Sequence, residues 1–233
     1  MATGPRATAA RVVAGILSGR SLSDNLPPAL AETAERDRGL LQQLCYGTLR
    51  FHPQLEGYLR QLLDRPLKHR DSDIHALLLI GGYQLLHLRI PDHAAIDATV
   101  EAARELSKPW ATRLVNGVLR RWTRQATQLR GALKIHERDA HPAWLHALLR
   151  EAWPDSFEQV IAANNSQPPM TLRVNLSRTS REAYLAELQA AGIEAVACDD
   201  VPTAIQLARP VDVDSLPGFA SGLASVQDEA AQW

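Results

Sequence analysis

The chain has 233 residues and a mass of 25.6 kDa, and its 45% hydrophobic and 22% charged residues exclude a disordered protein and leave room for two domains. Its net charge of -1 conceals a division, because residues 1–138 contain 20 basic and 13 acidic residues whereas residues 139–233 contain 5 and 13. The first part has a net charge of +7 and the second a net charge of -8, so the first part is the expected partner of a polyanion.

Helical spacing of apolar residues predicts one helix after another through about residue 130. Helices are expected at residues 6–17, 72–88 and 110–124, and another after Pro91. Residues 21–30 should form a short helical connector that a turn around Pro27 and Pro28 ends. A long helix should begin at residue 35 and break or kink at Pro53. The run at 74–88 is apolar almost all round, which is typical of a helix surrounded by others. Short connections without alternating strands predict an all-α bundle over residues 1–130.

A different pattern begins after this bundle. The composition of residues 125–139 predicts a loosely ordered segment, and the domain linker is placed at 131–140. Two short helices at 142–152 and 154–163 are then expected before strands at 170–175, 193–198, 203–207 and 223–226, with a helix at 181–191. This order predicts a small α+β domain over residues 141–222 with an open antiparallel sheet, as in RNA-recognition folds, although the stacking aromatics of the RNA-recognition motif are missing.

The last residues begin a helix that the sequence does not complete. Asp228 is a candidate N-cap, and barely one turn follows it before Trp233. Because one helical turn is not stable alone, we expect residues 223–233 to be the start of a further domain and the chain to be truncated.

Few residues in the chain have the pattern that catalysis requires. We find no glycine-rich phosphate or dinucleotide loop, and the eight histidines and two cysteines lack metal-ligand spacing, which favours surface or capping roles for the histidines. Cys45 lies on an apolar helix stripe and Cys198 stands beside two aspartates, so neither is a predicted nucleophile. No catalytic residue, cofactor or metal is therefore predicted for this chain.

The location of the protein is also constrained by its sequence. Two cysteines far apart in unlike contexts are typical of reduced thiols, and the most apolar run is too short to cross a bilayer. We expect a cytoplasmic monomer without membrane contact.

Residues 110–124 are predicted to form a helix with two unlike faces. Its apolar stripe contains Leu114, Val115, Val118, Leu119 and Trp122, and the opposite side contains Arg113, Gly117, Arg120 and Arg124, with Arg121 at the boundary. No acid interrupts the second face, so its guanidinium groups are available for phosphate, and Gly117 would let a nucleic-acid backbone approach closely. The alternative is a solvated helix surface, which is the commoner meaning of a charged helix face.

Other residues are weaker candidates for RNA contact. Arg6 and Arg11 of the first helix could extend the basic face, and Asn116 could contact a sugar or base edge, although a helix-capping or interhelical hydrogen bond is the more frequent role of such an asparagine. Arg173 and Asn175 point to one side of their strand and could touch RNA, or could equally bond loops of their own sheet.

Several motifs resemble one enzyme family. They are DRGLLQQLCYGTLR (37–50), PDHAAI (91–96), VNGVLRR (115–121), HPAW (141–144), ANN (163–165), PPMTLRVN (168–175), LPGF (216–219) and SVQDEAAQ (225–232). In this order they resemble the NusB-like and second N-terminal domains of the bacterial 16S ribosomal RNA cytosine-C5 methyltransferases, the Sun or RsmB proteins.

The resemblance implies methyl transfer from S-adenosylmethionine to cytosine C5, with one cysteine adding to C6 and another assisting release. In that family these cysteines and the cofactor loop belong to a C-terminal domain, and neither Cys45 nor Cys198 matches them. The chain is therefore expected to bind or position 16S rRNA and to be inactive alone. At Gly117 the family more often has alanine, which implies a helix less stable by about 1 kcal/mol.

Two other functions remain open from the sequence. The chain could be a NusB-like module of transcription antitermination that binds a protein or RNA, or a helical scaffold whose arginines serve solubility.

Overall fold

A computed structural model describes residues 3–233 and divides the chain into two compact units. The first unit ends at Asn165, and the second comprises Ser166–Trp233. Within the described residues all strands belong to the second unit. The predicted architecture, mainly α with a helical bundle followed by a small α+β domain, is confirmed.

The first unit is built from ten α-helices over its described residues. They are α1 (Pro5–Leu17), α2 (Leu22–Ala31), α3 (Glu35–Arg50), α4 (His52–Leu62), α5 (Ser72–His87), α6 (Asp92–Glu105), α7 (Ala111–Gly131), α8 (Ile135–Arg138), α9 (Ala143–Ala152) and α10 (Phe157–Asn165). A single turn of 3-10 helix, His69–Asp71, precedes α5. The break predicted at Pro53 is confirmed, because α3 ends at Arg50 and Pro53 lies in the first turn of α4, where its missing N–H has no helical partner to lose.

Helix α5 lies at the centre of the bundle and packs against α1, α3, α4, α6 and α7. Three glycines make the closest approaches possible. A Cβ on Gly82 would lie 2.2 Å from the ring of Trp122, one on Gly81 would lie 2.8 Å from Leu119, and one on Gly47 would lie 2.0 Å from the ring of Tyr83. The central helix is therefore enclosed as its sequence predicts, and its glycines are required by the large side chains that cover them.

Two local predictions for the bundle are wrong. Pro27 and Pro28 lie inside α2 and do not end it, because both are exposed and water can hydrogen-bond the carbonyl groups that their missing N–H groups leave free. Residues 125–139 are also ordered. Helix α7 continues to Gly131 with a kink at Gln125, and α8 follows.

The order of this segment comes from a contact that is distant in sequence. The buried carboxylate of Glu137 accepts a hydrogen bond from Arg60 Nη2 at 2.7 Å and another from the Lys134 backbone N–H at 2.9 Å. A charged pair with additional hydrogen bonds fixes α8 against α4. The predicted domain boundaries, with a linker at 131–140, stay a prediction.

His141 and His146 are buried and do not have the surface role expected from the sequence. His146 Nε2 lies 2.7 Å from Asp139 Oδ2, and Asn165 Nδ2 donates to the Asp139 carbonyl at 2.9 Å. Asn164 Nδ2 of the ANN motif also lies 3.2 Å from His141 Nε2 of the HPAW motif, so the two motifs help join the loop before α9 to the end of α10.

The second unit contains a four-stranded antiparallel sheet. Its elements are β1 (Met170–Val174), α11 (Arg181–Ala190), β2 (Ala195–Ala197), β3 (Ala204–Leu207) and β4 (Ala224–Val226), and the strand order is β2-β3-β1-β4. Met170 pairs with Leu207, and Leu172 pairs with both Ile205 and Val226. Alternate buried residues of β1 and β3 pack with Tyr184 and Leu188 of α11 into a separate core.

Residues 224–233 pack against the strands of this unit. β4 pairs with β1, and Gln232 donates to the Leu172 carbonyl and the Gln227 carbonyl. Residues Glu229–Gln232 form a 3-10 turn after Asp228 and not the predicted α-helix turn, since only a short i→i+3 bond between Ala231 and Asp228 is made. The assignment of residues 223–233 to a further domain stays a prediction.

Candidate RNA-binding surface

Helix α7 has a buried face and a cationic face. Val115, Val118, Leu119 and Trp122 are buried in the bundle, and Leu114 is partly buried. The side chains on the other face are exposed, and this cationic face comprises Arg113, Gly117, Arg120, Arg121 and Arg124. With Arg130, the helix carries five arginines and no acid. The apolar contacts thus fix the helix while its other side stays open to solvent.

The arginines of the cationic face form no ion pair with any acid in the described part of the chain. Arg120 Nε donates to Asn116 Oδ1 at 2.9 Å, and Arg121 Nε donates to Gln125 Oε1 at 3.1 Å. Among residues 3–233, Arg113 and Arg124 make no hydrogen bond or ion pair. Amide partners orient a guanidinium group without cancelling its charge, and they leave its other N–H donors free to bind an anion. Asn116 therefore positions Arg120 through a bond within α7, which is neither the helix-capping nor the interhelical bond that the sequence left open.

Gly117 lies in the middle of the cationic face and has open space around it. A Cβ built on this residue meets no atom within 4 Å. The fold therefore does not require glycine here, unlike at Gly82. Close approach of a nucleic-acid backbone remains a hypothesis for this position.

Arg6 and Arg11 are engaged within the bundle. Arg6 Nε donates to Gln84 Oε1 at 2.8 Å, and burial lowers the pKa of Arg6 while the charges of Glu105 and Asp37 act to raise it. Arg11 is exposed, and its Nη2 lies 3.5 Å from the Glu105 carbonyl. Arg6 therefore ties α1 to α5, and of the two residues Arg11 is the more available to a ligand.

Arg173 and Asn175 lie in the second unit and are considered separately. Asn175 Nδ2 donates to the Gly222 carbonyl at 3.0 Å, and its Oδ1 accepts from the Ser177 backbone N–H at 3.2 Å. Arg173 is exposed and donates to Gln227 Oε1 at 3.2 Å. The loop-bonding alternative thus describes the contacts of Asn175, whereas Arg173 keeps donors facing solvent.

A cleft beside the start of α7 was not identified from the sequence. It has a volume of about 880 Å³ and lies between the segment after α4 and the turn that joins α6 to α7. It is lined by Leu63, Asp64, Arg65, Pro66, Leu67, Lys68, Arg70, Asp71, Ser107, Lys108, Trp110 and Leu114. The sequence shows both the basic residues at 65–70 and the tryptophan before α7. It does not show that they line one cleft, because only the fold brings them together.

The cysteines are poorly suited to catalysis. Burial raises the pKa of Cys45 to about 12, and burial followed by the nearby charge of Glu229 raises the pKa of Cys198. Both thiols are therefore protonated at neutral pH. Over residues 3–233 no group of three His, Cys, Asp or Glu side chains is placed to hold a metal ion, and no described helix is long and apolar enough to cross a membrane.

Two family models match the chain. The model of the NusB family matches residues 3–124, and that of the RsmF/B-like methyltransferase ferredoxin-like domain matches residues 141–214. The first match covers α1 to α6 and the cationic face of α7. The second covers the sheet except β4.

Curated relatives share high identity with the chain. Ribosomal RNA small subunit methyltransferase B of Pseudomonas putida is 51% identical over 98% of this chain and 53% of the relative, and that of Pseudomonas syringae pv. tomato is 50% identical over 98% and 52%. The Sodalis glossinidius protein of the same name is 47% identical over 97% and 53%. The chain thus spans about half the length of the curated relatives it matches.

A solved structure shares the fold. The crystal structure of PH0851 superposes with a TM-score of 0.67 at 17% identity, covering 99% of this chain and 54% of that one. At this level of identity the similarity concerns the fold alone.

Proposed function

The chain belongs to the NusB family, and we propose that it is the RNA-binding part of a ribosomal RNA small-subunit methyltransferase. The resemblance to the RsmB proteins that the motifs indicated is confirmed, since both family models and the relatives agree in order and extent. The proposed ligand is 16S rRNA, and the proposed contact surface is the cationic face of α7.

One observation carries the proposal. The cationic face presents four exposed guanidinium groups, none of which faces a carboxylate within residues 3–233. The charge of an arginine that is paired with an acid is already balanced within the protein. Exposed arginines without an acidic partner, held on a rigid helix, are suited to bind successive phosphates. In this proposal Arg113, Arg120, Arg121 and Arg124 contact the RNA backbone, and Asn116 positions Arg120.

The remaining candidates have secondary roles in the proposal. Arg11 and, with fewer free donors, Arg6 would extend the basic surface from α1. Arg173 would make a separate contact from the second unit, with Asn175 holding the adjacent loop in place.

The methyl transfer is proposed for the longer proteins of this kind and not for these residues alone. S-adenosylmethionine would supply the methyl group for cytosine C5, as the family resemblance implies. Because both cysteines of this chain are buried with raised pKa values, the cysteines that attack the base and release the enzyme would lie outside it.

A salt titration tests the RNA contact. We expect binding of a 16S rRNA hairpin to weaken steeply between about 50 and 300 mM salt, because phosphate neutralisation releases counterions. Replacing Arg120 and Arg121 with alanine should lower the affinity at every salt concentration and make the log–log slope shallower by about 2. Fluorescence anisotropy of a labelled hairpin measures both quantities.

A matched control separates this contact from general charge. Arg36→Ala with Arg209→Ala also removes two positive charges, from exposed residues elsewhere on the chain. This control should leave the slope almost unchanged. An equal loss in both double variants would exclude α7 as the contact, and recovery of a tightly bound protein after nuclease treatment, with weak RNA affinity, would favour the antitermination alternative.

A further inference from the structure

The cleft beside α7 has an apolar interior and a cationic rim. Leu63, Leu67 and Leu114 are partly buried in its wall and contact the core of the bundle. Arg65, Lys68 and Arg70 are exposed at its edge. This combination matches a ligand with a flat apolar part and an attached anion.

The positive charge of the rim is available to a ligand. Within the described part of the chain Arg65 and Lys68 form no ion pair, whereas Arg70 Nε lies 3.7 Å from Asp71 Oδ2. The lining acid Asp71 is paired with Lys108 as well as with Arg70, because Lys108 Nζ lies 3.0 Å from Asp71 Oδ1, and the same ammonium lies 2.6 Å from Asp73 Oδ1. Among the described residues Asp64 forms no ion pair. The cleft remains net positive, because its cations outnumber its acids: Arg65, Lys68, Arg70 and Lys108 against Asp64, Asp71 and Asp73.

The turn that forms one wall is held in place. Lys108 Nζ also donates to the Arg70 carbonyl at 2.8 Å, which links the two segments that line the cleft. Ser107 has a φ of 59°, a left-handed conformation that few non-glycine residues adopt. The three bonds of Lys108 thus preorganise the cleft, which lowers the loss of conformational entropy when a ligand binds.

Trp110 is a lining residue that stays 54% exposed. An indole ring this exposed contributes little to the core, but its flat apolar face can stack on another aromatic system. Nucleic-acid bases unstacked from their neighbours stack on aromatic side chains in this manner.

The cleft continues directly into the cationic face. Trp110, Arg113, Gly117, Arg120 and Arg124 follow one another at spacings of three and four residues, which places them along one side of the helix. A strand of RNA that follows these arginines would therefore reach Trp110 and the cleft at the start of α7.

We propose that this cleft binds an unpaired base of single-stranded RNA, stacked on Trp110, with the adjoining phosphates held by Arg65 and Lys68. The inference rests on the proposed RNA binding and adds a preference for loop or bulge nucleotides over continuous duplex. The cationic face supplies sequence-independent affinity, and the cleft selects RNA that can release a base from its stack.

The test compares two RNAs with three variants of the whole chain. A labelled stem with an unpaired loop and a fully paired duplex of the same length are titrated against wild-type protein, Trp110→Ala, Trp110→Phe and the control Trp144→Ala. Trp144 is 69% exposed in the same compact unit but does not line the cleft.

We expect Trp110→Ala to weaken binding of the stem-loop by about 5- to 100-fold, the range of one lost stacking contact, and to leave duplex binding within about twofold. Trp110→Phe should retain most of the affinity, because a phenyl ring still stacks. Trp144→Ala should bind both RNAs as the wild type does, and thermal melting should be similar for all variants since both tryptophans are exposed.

Two results would overturn the inference in distinguishable ways. If Trp110→Ala binds the stem-loop like the wild type while the Arg120 and Arg121 double variant loses affinity, the cleft is not the base site and the proposed RNA binding stands. If the wild type binds neither RNA in low salt, both the proposed function and this inference fail.

Discussion

The two faces of α7 place opposite demands on their residues. On the buried face, Leu119 and Trp122 fit against Gly81 and Gly82 of α5 so closely that a single additional carbon would overlap them. On the cationic face, the same addition at Gly117 would meet nothing within 4 Å. One helix therefore combines a side that the fold determines in detail with a side that the fold leaves free.

The two faces therefore differ in what their residues indicate about function. Residues of the buried face are explained by packing, so their identity carries no information about a ligand. Among the described residues, the four arginines of the cationic face form no ion pair and no hydrogen bond outside α7, so packing does not explain them. The features that the fold does not require are the ones that point to RNA.

The largest expected effect is on the buried face. Gly82→Ala should lower the free energy of unfolding by about 2 to 3 kcal/mol, because its Cβ would lie 2.2 Å from the ring of Trp122 and the two helices must separate. Urea denaturation followed by circular dichroism measures the loss. A variant as stable as the wild type would show that α5 and α7 are not packed as described.

His87 has a half-buried imidazole ring that makes the stability of the bundle depend on pH. The His87 ring stacks on Phe51 with centroids 3.8 Å apart, and burial lowers the pKa of His87 from 6.5 to about 4. The unfolded chain therefore takes up a proton near pH 6.5 that the folded chain takes up only near pH 4. The contribution of His87 to the free energy of unfolding should be present in full above pH 6.5. It should be lost as the pH decreases toward 4, by about 1 to 2 kcal/mol after allowance for the partial exposure of the ring.

Replacement of His87 isolates this contribution. His87→Gln should flatten the decline of stability between pH 6.5 and 4 in denaturant titrations, whereas the exposed His93→Gln should leave it as in the wild type. Parallel pH profiles for the wild type and His87→Gln would contradict the proposed burial of a neutral imidazole.

The smallest expected effect on stability is at Gly117, on the cationic face. Gly117→Ala should raise the free energy of unfolding by about 1 kcal/mol, since alanine favours a helix and nothing obstructs its methyl group. Its RNA affinity, measured in the same anisotropy assay, then tests the close approach. Weaker binding by a more stable protein would support backbone contact at Gly117, and unchanged binding would exclude it.

Periodicity was sufficient to predict most of the architecture. The spacing of apolar residues located the helices of the bundle, the enclosed α5, both faces of α7 and the strands of the sheet, because each depends on neighbours a few residues away. The ordered α8 could not be found this way. Its stability depends on a pair between Arg60 and Glu137, which are 77 residues apart.

The cationic face and the cleft also differ in how far the sequence alone reveals them. The cationic face lies on one helix and follows from the 3.6-residue period alone. The cleft joins residues 63–71 to residues 107–114, and the charge of its rim depends on Lys108 neutralising Asp71, which only the tertiary structure reveals. The sequence therefore indicated the arginines that we propose to bind phosphate, and it gave no role to Trp110.

The absence of acids along α7 has a consequence for how affinity can change. Because Arg113 and Arg124 make no bond within the described chain, losing either one leaves no orphaned carboxylate behind, and gaining another cation nearby disturbs no existing pair. Arg113 and Arg124 lie far apart on α7 and share no partner, so substitutions of these two residues should change the affinity for the proposed RNA additively and leave the packing of the buried face unchanged.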